Sequence, residues 1–475
     1  MELSKFLLMR QEILLTAIIL IVLCAEIFLS REKRNLIISI SIGLFAIQTI
    51  AGFFPTEYGQ LFGKMYHNSA LTHFMKNVLN IGVLIVLFQS ASWIKRDLID
   101  QGRGSEFYLL IFSTLLGMYF MISAGDFLMF YIGLELSSLP IAALAAYDIY
   151  NKKSAEAGIK FILSAAMASG VALYGISMIY GVTGSVYFDE IASSIGSGPL
   201  EILALIFFMA GLAFKLSLVP FHFWTADVYE GAPVNVTSYL SVVSKGAAAF
   251  ILTIILFTAM KSMEVVWKDV IYVLSIVTMT IGNLFAIRQT NMKRFLAFSS
   301  VAQAGFLLLG LMAAAHLGMS VILYFVLIYI FSNLGAFGVV QAISFATGKE
   351  NMKEYEGLYR TNPKLSLVML LSLFSLAGIP PVAGFFGKFF LFVGAASEGY
   401  YWLVTIAVIN VIISLYYYLL VVRAMFLRQS DEAIPYIKTD NLLKVGLVLC
   451  VVGVLAIGLY SPIYEYVFGM GGLLK

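Results

Sequence analysis

The sequence predicts an all-α polytopic membrane protein of about fourteen transmembrane helices, and three observations carry that prediction. The 475 residues are 61% hydrophobic and 12% charged, whereas a soluble domain carries roughly 25% charged residues, and mean hydropathy is +0.93. Apolar runs of bilayer-crossing length recur from residue 12 to residue 461, with no polar block large enough to fold separately. The runs are continuous rather than alternating, so helices and not barrel strands do the spanning. The chain therefore reads as one membrane domain over 1–475, and a formal charge of +3 without a clustered basic arm sets nucleic acid aside.

In chain order the spans fall near 12–29, 35–53, 75–93, 106–124, 126–147, 156–181, 199–224, 235–259, 267–287, 294–314, 318–346, 365–396, 401–426 and 442–461. The first resembles a secretory leader in having Lys5 and Arg10 ahead of it, but its run is longer than an h-region and no A-x-A site follows, so it is kept as a helix. Lys and Arg then set the orientation. The connections holding Arg31, Lys33 and Arg34; Lys95, Arg96 and Arg103; Lys152, Lys153 and Lys160; Arg288, Lys293 and Arg294; Lys349, Lys353, Arg360 and Lys364; and Arg423, Arg428, Lys438 and Lys444 all fall on one side, which is expected to be cytoplasmic. An even number of spans then puts both termini in the periplasm, and Lys5 and Arg10 are outweighed across the first span by Arg31, Lys33 and Arg34.

Four ionisable residues do not fit this pattern. Glu135, Lys215, Lys245 and Lys388 fall inside predicted spans, where a charge costs at least about 2.5 kcal/mol even on the lenient insertion scale. One reading is buried ion pairing between helices, with Glu135 and Lys215 as the pair and no acid in sight for Lys245 or Lys388. The other is a proton relay. Lysine suits such work because burial lowers a lysine's pKa while a nearby carboxylate raises it again.

Two spans are interrupted by proline. AFKLSLVPFHFW carries Pro220, and AGIPPVAGFFGKFF carries Pro380 and Pro381. Proline removes a backbone donor and frees a carbonyl one turn earlier, which is tolerable at membrane depth only against protein or a water-filled cavity. A simple kink is one outcome. Lys215 precedes its proline and Lys388 follows its own, which also suits two halves inserted with opposite topology, and paired broken helices of that kind point to a transporter's ion path.

Other polar residues read more simply. His222 reads as a cap or wall at the cytoplasmic end of its span, and His67, His73 and His316 as exposed loop histidines. Lys293 and Arg294 snorkel at a helix start; Tyr416, Tyr417 and Tyr418 pack or anchor; Asp227 and Glu230 line a water entrance or end a solvated helix. Cys24 and Cys450 are packing thiols, too few for an iron–sulfur cluster, which takes about four ligands. No Gly-rich dinucleotide or phosphate loop follows a strand, so neither an NADH nor an ATP site is expected.

Longer stretches resemble a known family. GLELSSLPI around Glu135, EAGIKFILSAAMASGVALYGISMIYGVTGS from Glu156, FKLSLVPFHFWTADVYEGAPVNVTSYLSVVSKGA from Phe214, NMKRFLAFSSVAQAGFLLLG from Asn291 and LAGIPPVAGFFGKF from Leu376 are similar to the antiporter-like subunits of respiratory complex I, over roughly residues 105 to 430. Within that superfamily, HFWTADVYEGAP has the DVY-x-GAP form of the N-subunit group rather than that of the L and M relatives or the Mrp antiporter subunits. The long C-terminal lateral helix that marks the L group is not expected from the residues after the last span.

The resemblance implies two inverted five-helix repeats, each containing a broken helix. The expected segments are an N-terminal three-helix unit over 1–105, repeats over 106–260 and 261–430, and a C-terminal helix over 431–475. It implies that Glu135 pairs with Lys215, that Lys245 sits centrally and that Lys388 ends the row nearer the periplasmic exit, with Pro220, His222, Pro380 and Pro381 in the family's broken-helix motifs. Protons would hop along this axis, driven by electron transfer from NADH to quinone elsewhere in a complex of the bacterial inner membrane. The chain itself is expected to hold no cofactor: FMN, iron–sulfur clusters and quinone would belong to other subunits, and its partners would be K-like and M-like neighbours, lipids and protons. Gln303 in SSVAQAG departs from the family, many members of which have histidine there; glutamine can hold a water chain but cannot take up a proton near neutral pH. Two other classes of function stand beside this one. A sodium/proton antiporter subunit of the Mrp kind is disfavoured by DVYEGAP, and a non-catalytic membrane scaffold would make the three lysines dispensable.

Overall fold

The computed structural model describes residues 3–30, 33–99, 103–430 and 432–473; Arg31, counted above among the loop cations, lies outside them. The helices follow in the order α1 (Arg10–Phe28), α2 (Asn35–Ala51), α3 (Ala70–Trp93), α4 (Gly104–Ile122), α5 (Phe127–Ala145), α6 (Lys152–Thr183), α7 (Phe188–Ser194), α8 (Pro199–Leu216), α9 (Phe223–Gly231), α10 (Val234–Tyr239), α11 (Lys245–Phe257), α12 (Glu264–Ile287), α13 (Met292–Leu307), α14 (Ala315–Thr347), α15 (Leu358–Thr361), α16 (Pro363–Ala377), α17 (Ala383–Ser397), α18 (Tyr401–Phe426), α19 (Asn441–Leu459) and α20 (Ser461–Gly471). Among the described residues, twelve helical segments are long and apolar enough to cross a membrane; the shorter α2, and α16 with α17 as two halves of one crossing, bring the total to the fourteen that the sequence predicts.

The expected span 75–93 starts earlier, because Ser69 forms a capping box with Thr72 that begins α3 at Ala70. Span 365–396 is two helices, and residues after 461 form α20. A small antiparallel hairpin, β1 (Gly59–Leu61) with β2 (Tyr66–Asn68), joins α2 to α3; three-residue strands are too short to leave a pattern against this apolar background.

Contacts between connections sort them onto two faces. On the basic face, Arg103 donates to the Tyr147 carbonyl, Arg96 to that of Phe345, and Asn291 bridges Asn351. On the opposite face, Tyr66 bridges Ala124, Asp126 bridges Tyr187, and Ser262 donates to the Ile195 carbonyl. The start of α1 and the whole of α20 lie with this second group, since Tyr66 reaches the Leu8 carbonyl and Ser320 that of Phe468. Arg10, a cation on the poorer face, is explained by its partners. Its guanidinium donates to the carbonyls of Ala51, Phe54 and Pro55, satisfying the open end of α2.

The internal repeat is visible in how helices touch. A Cβ on Gly117 of α4 would fall 2.4 Å from the Ser137 backbone nitrogen of α5, and one on Gly133 would fall 2.5 Å from that of Met121. The second pair of helices repeats this reciprocal approach: Gly282 of α12 lies against Ala302 of α13, and Gly305 against Met279, each at 2.6 Å. Small residues let membrane helices approach where lipid gives no hydrophobic drive. In each half a third helix of 32 or 33 residues, α6 or α14, then packs on a broken one, α8 with α9 or α16 with α17. Five crossings per repeat is odd, so the second repeat is inserted upside down relative to the first.

Candidate functional site: a buried row of lysines

Both breaks end their first half-helix with a left-handed residue. Ser217 (φ 62°) closes α8 and Gly378 (φ 88°) closes α16; for serine that backbone costs roughly 1–3 kcal/mol. Pro220 stands between α8 and α9, and Pro380 and Pro381 between α16 and α17.

Lys215 lies in the last turn of α8, buried, and its Nζ donates to the hydroxyls of Ser137 and Ser138, the second at 2.9 Å. The expected direct pair with Glu135 does not form: no Lys215–Glu135 contact falls within 4.0 Å among the salt bridges of the described residues. Glu135 is half-buried one turn before Ser138 on the same helix, with Oε1 unpartnered by protein. Serine hydroxyls intervene because α5 brings LSSLP, not the acid, opposite the end of α8. Both serines also donate to the Leu134 carbonyl, which orients their lone pairs outward.

Lys245 opens α11 directly after a π-helical turn, Leu240–Ser244; such turns are rare and frequent at functional sites. The side chain is buried, donates to Ser300 Oγ at 2.9 Å, and has its Nζ 5.7 Å from the centre of the Tyr229 ring. Around it lies a cavity of about 20 Å³ whose walls include Leu216, Ser300, Gln303 and Tyr329.

Lys388 is buried on α17, and its Nζ donates to the carbonyls of Leu376 and Ala377 at 2.8 and 3.2 Å. These are acceptors released where α16 stops. Gln303 Nε2 reaches the same Leu376 carbonyl at 2.9 Å and Tyr418 at 3.3 Å, and Tyr418 shares a 2.5 Å hydrogen bond with Ser299. Tyr417 instead binds Asn283, and Tyr416 is exposed. The row is therefore Lys215, the cavity wall, Lys245, Ser300, Gln303, the Leu376 carbonyl and Lys388.

Several simpler readings need correction. His222 is buried at the break between α8 and α9 and makes no side-chain cap bond, so of its two expected roles the cap is not seen and the wall stands. His73 is half-buried, bonded to Gln11 and to the Gly52 carbonyl, and His67 is half-buried, whereas His316 is exposed as expected. Lys293 does not snorkel: it is buried, 3.1 Å from Glu350. Asp227 binds Lys160 and Arg294 at 2.6 and 2.7 Å, and Glu230 binds Lys153 and Arg294 at 3.0 and 3.1 Å. A cross-helix charge network thus replaces a solvated helix end. Cys450 is buried, but Cys24 faces outward.

A second buried charge pair was not legible in the sequence. Lys76 Nζ lies 2.5 Å from Glu12 Oε1 and 3.1 Å from the Tyr66 hydroxyl, which in turn donates to Glu12 Oε2 at 3.0 Å. Both charges stand near predicted span ends, where solvent is the default reading; the Ser69 capping signal, which puts Lys76 two turns inside α3, was the available clue.

Residues 124–414 match the family described as NADH:quinone oxidoreductase/Mrp antiporter, transmembrane. The chain is 49% identical over 466 residues to the NADH-quinone oxidoreductase subunit N of Phocaeicola vulgatus, covering 98% of each. It superposes with a TM-score of 0.80 at 28% identity on a chain of respiratory complex I from Thermus thermophilus, covering 97% of this chain and 98% of that one. With a chain of the Mrp complex from Dietzia sp. DQ12-45-1b the TM-score is 0.87 at 21% identity, over 99% and 97% of the two chains, a likeness of fold alone. By sequence and by fold the chain belongs to the N-subunit family of NADH-quinone oxidoreductase, within the antiporter-like membrane proteins.

Proposed function

We propose that this chain translocates protons in the membrane arm of an NADH-quinone oxidoreductase, through Glu135, Lys215, Lys245 and Lys388. The observation that carries the reading is the row itself: three lysines buried at membrane depth, none in an ion pair among the described residues, with polar partners linking the last two. A protein that needed these charges for architecture alone would pair them with acids, as it does at Glu12 and Lys76.

The supply side is the basic face, taken as cytoplasmic, which puts both termini in the periplasm of an inner membrane. A cleft of about 210 Å³ opens there between Asp97, Asp148, Asn235, Lys293 and Glu350. Below it Asn235, Tyr229, Thr225, His222 and Ser217 each keep a buried polar atom without a protein partner, the kind of lining that ordered water satisfies. The cavity beside Lys245, about 20 Å³, has room for one water molecule. Gln303 carries no proton itself but orients the carbonyl that Lys388 uses. Pro220, Pro380 and Pro381 keep the breaks open, and the repeats over 106–260 and 261–430 form the two half-channels. Electron transfer, with FMN, iron–sulfur clusters and quinone, is assigned to other subunits, and the faces flanking the repeats to K-like and M-like neighbours.

The test is NADH-driven acidification of inverted membrane vesicles, normalised to assembled complex. Lys215→Ala is expected to lower it at least about tenfold with assembly retained. An assembled Lys215→Ala complex that pumps at the wild-type rate would overturn the proposal.

A further inference from the structure

On the basic face, α16 and α19 begin at the same level, and a groove of about 630 Å³ runs down between them. Its walls are apolar: Leu367, Val368 and Leu371 from α16, and Val448, Val451 and Val452 from α19. Leu367, Val448 and Val452 are about half exposed, at 46%, 59% and 54%, so the walls face out of the bundle. Its mouth carries Lys364 and Lys444, neither in an ion pair among the described residues. The nearest polar contact of Lys444 is Asn441 Oδ1 at 3.4 Å, and Asp440, the one acid on the same turn, is occupied in capping α19 through Leu442.

The mouth is also rigid. Asn362, buried at the start of α16, donates to the carbonyls of Ile434 and Pro435 at 3.5 and 3.0 Å and accepts from Ile437 at 2.8 Å. That clamp holds the segment before α19 as a roof, with Tyr436 projecting from it 77% exposed. From Lys444 to Val452 an α-helix rises about 12 Å, close to the roughly 15 Å of hydrocarbon in one leaflet. Two cations at the headgroup level, an aromatic beside them and an apolar trench one acyl chain deep form a single amphipathic unit.

We propose that this groove binds an anionic glycerophospholipid, its phosphate held between Lys364 and Lys444 and one acyl chain lying along α16 and α19. A basic pocket between helices is suited to an anionic headgroup, and each lysine near the surface favours an anionic over a zwitterionic lipid by roughly fivefold. A helix from a neighbouring subunit would fill the apolar trench equally well but would have to bring an acid to each lysine, whereas one phosphate answers both, so charge complementarity favours lipid.

The experiment uses native membranes carrying the full chain in its assembly, labelled with phosphatidylglycerol bearing a photoreactive group in its acyl chain. Crosslinks are expected on residues 363–371 and 444–452, with phosphatidylglycerol competing about thirtyfold better than phosphatidylcholine. Lys364→Gln with Lys444→Gln should abolish that preference. Equal competition by the two lipids in the wild type would overturn the proposal without recourse to any variant. So would the absence of label from these residues in wild-type membranes, which would make the groove a subunit interface.

Discussion

Gln303 and Lys388 donate to one acceptor, the carbonyl of Leu376, at 2.9 and 2.8 Å. That carbonyl is available because α16 ends there, so the break in the helix, the glutamine and the lysine form one unit contributed by three elements.

If Lys388 must release a proton toward the exit, charge alone is insufficient. Lys388→Ala removes the group, while Lys388→Arg keeps a cation that stays charged and holds its proton. Both variants are expected to lower NADH-driven acidification at least about tenfold, a barrier change of roughly 1.4 kcal/mol. Wild-type rates in the arginine variant would mean that a fixed charge is all the site needs.

Lys215 is held by Ser137 and Ser138 rather than by Glu135, which gives an order of effects. Ser137→Ala or Ser138→Ala leaves one hydroxyl, and the double variant leaves none, stranding a buried donor at a cost of about 1–3 kcal/mol. Proton transport should fall slightly in each single variant and sharply in the double. Ser138→Thr, which keeps the hydroxyl, should behave as wild type. Additive small losses in the double variant would argue that the serines merely pack.

Glu135 and the three lysines of the row were legible because an ionisable residue within an apolar run has few innocent explanations, and the prolines because their backbone chemistry is local. What was hidden depended on partners far away in sequence. Ser137 and Ser138 look like ordinary helix serines until α8 is brought opposite them. Tyr418 is one of three consecutive tyrosines, and only the rotation of α18 separates it from exposed Tyr416. The π turn before Lys245 has no compositional signature. Glu12 and Lys76 were hidden by position, since a charge near a span end is normally solvated.

That Glu12–Lys76 pair yields a stability prediction distinct from transport. Both side chains are almost fully buried, and removing one partner of a buried pair costs about 3–5 kcal/mol because the other charge is left uncompensated. Lys76→Met should lower the thermal stability of the detergent-extracted complex markedly, and Glu12→Gln with Lys76→Met should recover much of the loss. Acidification per assembled complex is expected to stay near wild type in the double variant. A transport defect there, with stability restored, would make the pair part of the proton path.

The last prediction concerns the gap between Lys245 and Lys388. Lys245 reaches Ser300 directly, but Gln303 lies one turn further along α13, about 5 Å on, and an amide cannot take up a proton to cover that distance. Transfer therefore needs water in the small cavity that Lys245, Ser300 and Gln303 line together with Ala304. Ala304→Leu would fill that space while leaving both lysines and the glutamine in place, at a packing cost of about 1–3 kcal/mol. Acidification should drop to a level near that of Lys245→Ala, and the smaller Ala304→Ser, which leaves room and adds a hydroxyl, should retain it. Comparison of the two at equal assembly separates loss of water from loss of fold. Full transport in an assembled Ala304→Leu variant would mean that the proton takes another route, and the central position of Lys245 would no longer hold.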